Sequence, residues 1–169
     1  FVAAVYGIFG VHPLAVRLVQ AVLGGVLLPW AVFRLARQVL GLTREWPHAT
    51  RSEAADAIRL VPYAAAAVAS VYGYFVLYAA TLMTETFYIV VVLWSLELGL
   101  GLVSRLRDGQ ELPRRMAVRL GVSLGLATLL RQSILPWVPV FFAYVLWVAM
   151  RNRRFRVAVR SLFIAGVLL

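Results

Sequence analysis

Three charged residues stand where charge is costly, and their types say what chemistry they could do. Arg17 lies in "FGVHPLAVRL", Glu85 between the apolar runs of "YAATLMTETFYIVVVLW", and Arg131 in "LGLATLLRQSILP". On insertion scales an arginine or a carboxylate costs about 2.5–3.5 kcal/mol at the centre of a membrane helix, so such residues face a cavity, a partner or an ion path. Near the membrane boundary the cost falls, because a long side chain can reach water. Arginine presents a fork of donors that fits phosphate oxygens and keeps its charge at any relevant pH. A carboxylate nearby can orient a guanidinium, contact a sugar or ligate a divalent ion. The plainer alternative is that Arg17 and Arg131 only anchor helix ends, or that one of them pairs with Glu85. Taken together, the three favour a site for a charged lipid headgroup.

The elements that must position them follow from composition and charge placement. The 169 residues are 63% hydrophobic, with a mean hydropathy of +0.86, against about half apolar residues in ordinary soluble domains. A chain this short leaves a large share of its surface outside any core, so a bilayer is the solvent that fits. There is no cysteine, which excludes a disulfide frame, a thiolate metal site and a cysteine nucleophile. The net charge of +10 would point to nucleic acid in a soluble protein. Its placement argues for membrane topology instead, and no nucleic-acid partner is expected. All 17 basic residues are arginine, and 15 of them fall into three clusters, at 34–59, 105–119 and 151–160.

Apolar stretches separate the clusters. A span needs about 20 mainly apolar residues, and the pattern predicts spans at 15–34, 62–82, 86–103, 117–132 and 136–150, with a sixth starting near 157. The expected fold is therefore an all-α, polytopic transmembrane helix bundle, a single helical region over 1–169. Two spans lie between successive clusters, so every cluster returns to one face, which the positive-inside rule makes cytoplasmic. The expected location is the cell inner (plasma) membrane. Arg17, Glu85 and Arg131 then share the opposite, outer depth.

Other polar residues carry weaker signals. In "LTREWPHATRSEAADAIRL" the "SEAADAIR" part reads as a short surface helix capped by Ser52, inside a solvated connection that includes His48. In "RLRDGQELPRR", Asp108-Gly109 marks a turn and Pro113 starts the next element. Pro13 opens the first long helix, while Pro136 and Pro139 interrupt the backbone after Arg131. Glu97 belongs to the inner half of its span, where an interhelical contact is the expected role, and His12 lies near the outer surface. Thr81, Thr84 and Thr86 surround Glu85, where they can satisfy backbone groups freed at the turn. Tyr72, Tyr74, Tyr78, Tyr88 and Trp137 read as interface aromatics. The small residues of "AAAAVAS" allow close helix packing. No P-loop, dinucleotide fingerprint, zinc motif or serine triad is present.

The order "FGVHPLAVRLVQAVLGG…RLARQVLG", "LMTETFYIVVVLW", "GVSLGLATLLRQSILPWVP" resembles the bacterial protein-mannosyltransferase-like family. These are integral-membrane, C-type glycosyltransferases related to protein O-mannosyltransferases and to the lipid A aminoarabinose transferase. The family's G-x-x-x-x-A-x-R-L step matches Gly10 to Leu18, its T/S-E turn matches Thr84-Glu85, and its G-L-A-x-L-x-R segment matches Gly125 to Arg131. Gln132 stands where the family often has proline. The resemblance covers nearly the whole chain through short motifs.

The resemblance implies transfer of a sugar from a polyprenyl-phosphate donor to a lipid, glycan or protein acceptor on the outer membrane face. It implies donor-phosphate binding by Arg17 and Arg131, and an orienting, sugar-contacting or metal-ligating role for Glu85. A divalent metal ion is the cofactor compatible with that role. The family's catalytic aspartate lies on the first outer loop, so it is expected upstream of Phe1, and no residue here is assigned as the base. On that expectation the chain is a fragment, inactive alone. The alternatives are a transporter or flippase fragment for an anionic or lipid-linked substrate, which should show a repeat, and a structural membrane subunit without a site.

Overall fold

The computed structural model describes residues 2–42, 51–72, 85–152 and 154–167. Seven α-helices occur among them: α1 (Val2–Phe9), α2 (Pro13–Leu42), α3 (Arg51–Val71), α4 (Glu85–Arg107), α5 (Arg114–Leu130), α6 (Trp137–Arg151) and α7 (Phe155–Val167). A 3₁₀ turn, Gln132–Ile134, joins α5 to α6. No strand occurs among the described residues. Three helical segments are long and apolar enough to cross a membrane: Pro13–Gly41, Glu85–Arg107 and Gln132–Arg151, of 29, 23 and 20 residues. At 1.5 Å per residue the 23 residues of Glu85–Arg107 reach about 35 Å, more than the thickness of a hydrocarbon core, whereas Gln132–Arg151 includes the 3₁₀ turn before α6. Large side chains on these helices lie open, such as Leu18 at 60% and Val26 at 64% exposed, as lipid-facing residues do.

The helix boundaries differ from the apolar runs in instructive ways. α1 was not expected. It is stopped at Gly10, whose φ of 75° only glycine adopts readily and whose N–H donates to the Tyr6 carbonyl at 3.0 Å. Pro13 follows as the first residue of α2, where its fixed φ suits a helix start. α2 then runs eight residues past the predicted end at 34. Arginine is a good helix former, and the guanidinium groups of Arg34 and Arg37 fold over Trp30 and Phe33, at 4.9 and 5.7 Å from the ring centroids.

α3 begins eleven residues before the predicted span, so "SEAADAIR" is not a separate helix. Ser52 is the second helical residue rather than the cap. Pro62, expected to open a span, sits inside α3 and is buried. Membrane-type helices tolerate such prolines because neighbours re-satisfy the freed carbonyl. The second half of the predicted span 62–82 lies outside the described residues, as do His48, Tyr74, Tyr78, Thr81 and Thr84. α5 has 17 residues and is shorter than the three crossing segments, being bounded by Pro113 at its start and by the extended backbone of Arg131 at its end.

The chain, expected as one helical region, divides into two compact units. One comprises Phe1–Arg37 and Glu45–Val90, the other Gln38–Arg44 and Val91–Leu169. Two of the three division points, at 37/38 and 90/91, fall inside helices, α2 and α4. In the first unit, Val16, Gln20, Gly24, Leu28 and Ala31 form a single buried stripe along α2, the four-residue step that stacks side chains on one helix face. Phe33 meets Tyr63 of α3 with ring centroids 5.0 Å apart.

In the second unit α7 packs on both α5 and α6. α5 turns Ala117, Gly121 and Gly125 inward, and α7 turns in Ala158, Ser161 and Ala165. Small residues at such spacing let helix backbones approach closely. Buried Ser95 and Ser123 donate to carbonyls of their own helices, both at 2.9 Å, so neither needs a partner across the bundle.

Gly99 of α4 faces the Phe141 ring of α6, where an added Cβ would stand 2.5 Å from Cζ. That ring is held against Trp137, with centroids 5.0 Å apart and planes 9° from parallel. Gly99→Ala must therefore push a stacked ring, and it is expected to lower stability by about 1–3 kcal/mol. Thermal melting in detergent measures this. Gly25→Ala, with open space around its Cβ, serves as the control and should cause no loss.

Candidate functional site

Arg17 is the fifth residue of α2 and is exposed beside the buried stripe that starts at Val16. It sits one turn inside a helix whose entry is set by Gly10, His12 and Pro13. The His12 N–H donates to the Gly10 carbonyl at 2.8 Å, and the His12 carbonyl accepts the Ala15 N–H at 3.1 Å. His12 itself is exposed. In this local turn the glycine ends one helix so that the next can start.

Glu85 is the first residue of α4. A carboxylate there meets the positive end of the helix dipole, while Arg105 and Arg107 in the last turn meet the negative end, each favourable by about 0.3–1 kcal/mol. Glu85 is half-buried and Thr86, next to it, is wholly buried. Both are engaged within the protein. The helix start thus holds Glu85 by its backbone and by a buried neighbour.

Arg131 closes α5. Its backbone is extended, with φ −158° and ψ 119°, and its N–H donates to the Ala127 carbonyl at 2.9 Å. The 3₁₀ turn follows at once, closed by the Leu135 N–H on the Gln132 carbonyl at 3.0 Å. Pro136 and the first turn of α6 come next. Pro139 falls in that first turn, where its missing N–H is no loss. The corner lifts Arg131 out of the helix and leaves it exposed. Gln132 supplies the turn's first residue and is exposed as well.

Arg17 and Glu85 belong to the first compact unit and Arg131 to the second. Glu97 is half-buried on α4 and engaged. Tyr72 and Trp137 are exposed at helix ends, while Tyr88 is half-buried. No group of three or more metal-ligating acids or histidines occurs among the described residues, so a metal at Glu85 would draw its other ligands from elsewhere.

Sequence reasoning missed the basic ends of unit two as structured places. Arg107 donates to the Tyr144 hydroxyl at 3.3 Å, and Arg154 donates to the Gln110 carbonyl at 2.9 Å. The latter ties the α6–α7 connection to the turn at Gly109, whose φ is 69°. No local spacing signals either contact, since they join residues 37 and 44 positions apart. Comparison of the chain with family models, with curated proteins and with solved structures returns no match.

Proposed function

We propose that this chain is the membrane region of a glycosyltransferase. It would move a sugar from a polyprenyl-phosphate donor to a lipid, glycan or protein acceptor at the outer face of the plasma membrane. One observation supports the reading most: the charge polarity within each helix that carries a candidate residue. α2 holds Arg17 near its start and Arg34 and Arg37 towards its end. α4 starts on Glu85 and ends on Arg105 and Arg107, and α5 starts on Arg114 and Arg115 and closes on Arg131. With the arginine-rich ends cytoplasmic, each lone charge falls at the outer face. In this reading the chain crosses five times and α7 begins a sixth span. α5 crosses at the short end of the usual 17–25 residues.

The chemistry fits two arginines. The acceptor hydroxyl attacks the anomeric carbon, the bond from that carbon to the phosphate oxygen breaks, and the acceptor proton passes to a base outside this chain. The donor phosphodiester has one negative charge and the departing polyprenyl phosphate gains a second. Guanidinium groups aimed at that oxygen therefore act on charge that develops in the transition state. Glu85 orients an arginine, contacts the sugar or ligates a divalent ion.

Two experiments test the proposal. The full-length protein in liposomes should release polyprenyl phosphate from a polyprenyl-phosphate sugar. Neither binding nor release with any hexose or pentose donor would refute the transferase reading. Sidedness is tested separately, and none of the 169 residues is a cysteine that would compete for the label. Gln132→Cys should react with a membrane-impermeant thiol reagent in intact cells, and Gln110→Cys only after permeabilisation. The reverse pattern overturns the outer site.

A further inference from the structure

The second unit contains a cavity that the proposed donor site does not use. Its volume is about 340 Å³, at the lower end of the roughly 300–1,000 Å³ of ligand pockets. Arg114, Arg156, Arg160 and Ser161 form its polar wall, and Val157 and Ile164 are among its apolar lining; no carboxylate lines it. Arg156 and Arg160 are one turn apart on α7, a spacing at which like charges repel. Arg114 adds a third cation from the first position of α5. Pro113 caps α5 without a side-chain acceptor, so the positive end of that helix is uncompensated there. Three cations around one hollow, with nothing anionic in its walls, are stabilised by an anion that enters.

We infer that this cavity binds the phosphate of an anionic phospholipid headgroup. The guanidinium forks take the phosphate oxygens, and the first acyl carbons lie along Val157 and Ile164. Basic pockets between membrane helices on the cytoplasmic side hold such headgroups. Inorganic phosphate offers the same oxygens but makes no use of the apolar wall. The site lies at the opposite end of α5 from Arg131. It requires membrane insertion and does not require sugar transfer, so either can fail without the other.

The test uses the purified protein in zwitterionic detergent, probed with short-chain phosphatidylglycerol, short-chain phosphatidylcholine and inorganic phosphate by native mass spectrometry and calorimetry. Phosphatidylglycerol should bind, with the other two at least tenfold weaker. Arg156→Gln and Arg160→Gln should each weaken it about fivefold, the equivalent of about 1 kcal/mol per arginine at a membrane surface. Arg105→Gln removes a cation of the 105–119 cluster that does not line the cavity and should change nothing. Equal loss in Arg105→Gln would reduce the effect to overall charge, and equal affinity for inorganic phosphate would remove the lipid. Unchanged binding in Arg156→Gln and Arg160→Gln would remove the site.

Discussion

Arg131→Ala in the full-length protein is expected to lower the turnover of sugar transfer by roughly 10²–10³-fold, the usual consequence of deleting one preorganised stabiliser of developing oxyanion charge. Donor affinity should fall with it, because the donor phosphodiester already carries one charge. The backbone argues that this loss will not come from unfolding. Arg131 stands outside α5 in an extended conformation, and the bond that closes the helix uses its own N–H to Ala127. Alanine retains that bond. The side chain is exposed, but Arg131 caps α5 and is engaged within the protein, so thermal melting of Arg131→Ala in detergent is measured beside its turnover. Arg131→Lys separates charge from geometry: it keeps a cation but not the planar fork, so it should recover part of the rate. The release of polyprenyl phosphate under steady state and the donor dissociation constant are the measurements. Unchanged values of both in Arg131→Ala would remove Arg131 from the site.

What the sequence made legible, and what it did not, divides along a physical line. Local signals read well. Pro13 opens α2, Asp108-Gly109 turns the chain after α4, and the corner after Arg131 is built from the predicted break. Each is decided by backbone torsions of a few residues. Apolar length read in part: among the described residues three segments are long and oily enough to cross a membrane, against the five spans and partial sixth expected. Boundaries that depend on neighbours did not. α2 continues through Arg34 and Arg37 because aromatic rings on the same helix receive the guanidinium groups. α3 continues through Pro62, which is buried, and membrane-type helices tolerate proline within them. Hydropathy counts the arginines and prolines as stops and has no measure of what lets a helix run through them.

The candidate site divides in the same way. The depth of Arg17, Glu85 and Arg131 along their own helices follows from counting residues. Glu85 gains a further reason for its place as the first residue of a helix, which a reading by hydropathy alone lacks. Convergence of the three is a tertiary property that no local spacing encodes. The arginine-lined cavity shows the same limit from the other side. Arg114 and Arg160 are 46 positions apart in the chain, and only the pairing of α5 with α7 makes them walls of one hollow.

That pairing is the basis of the largest expected change in stability. In a membrane the lipid tails are as apolar as leucine, so helices associate through close van der Waals contact rather than through exclusion of water. Ala117, Gly121 and Gly125 are buried at four-residue steps on α5, and α7, which packs on α5, buries Ala158, Ser161 and Ala165. Gly121→Leu adds four carbons at a buried position of that seam. Overpacking a filled interior costs about 1–3 kcal/mol, and a change from no side chain to leucine is expected at the top of that range. Gly121→Ala should cost less, its single methyl being the size of the alanines already present. Val122→Leu, on the exposed face one residue away, should be neutral and controls for hydrophobicity and expression. Detergent-titrated unfolding followed by circular dichroism gives the three values. If Gly121→Leu unfolds with the same midpoint as Val122→Leu, close contact at this seam is not what joins α5 to α7. If it unfolds early while Val122→Leu does not, the small residues of 117–125 are what let these two helices meet.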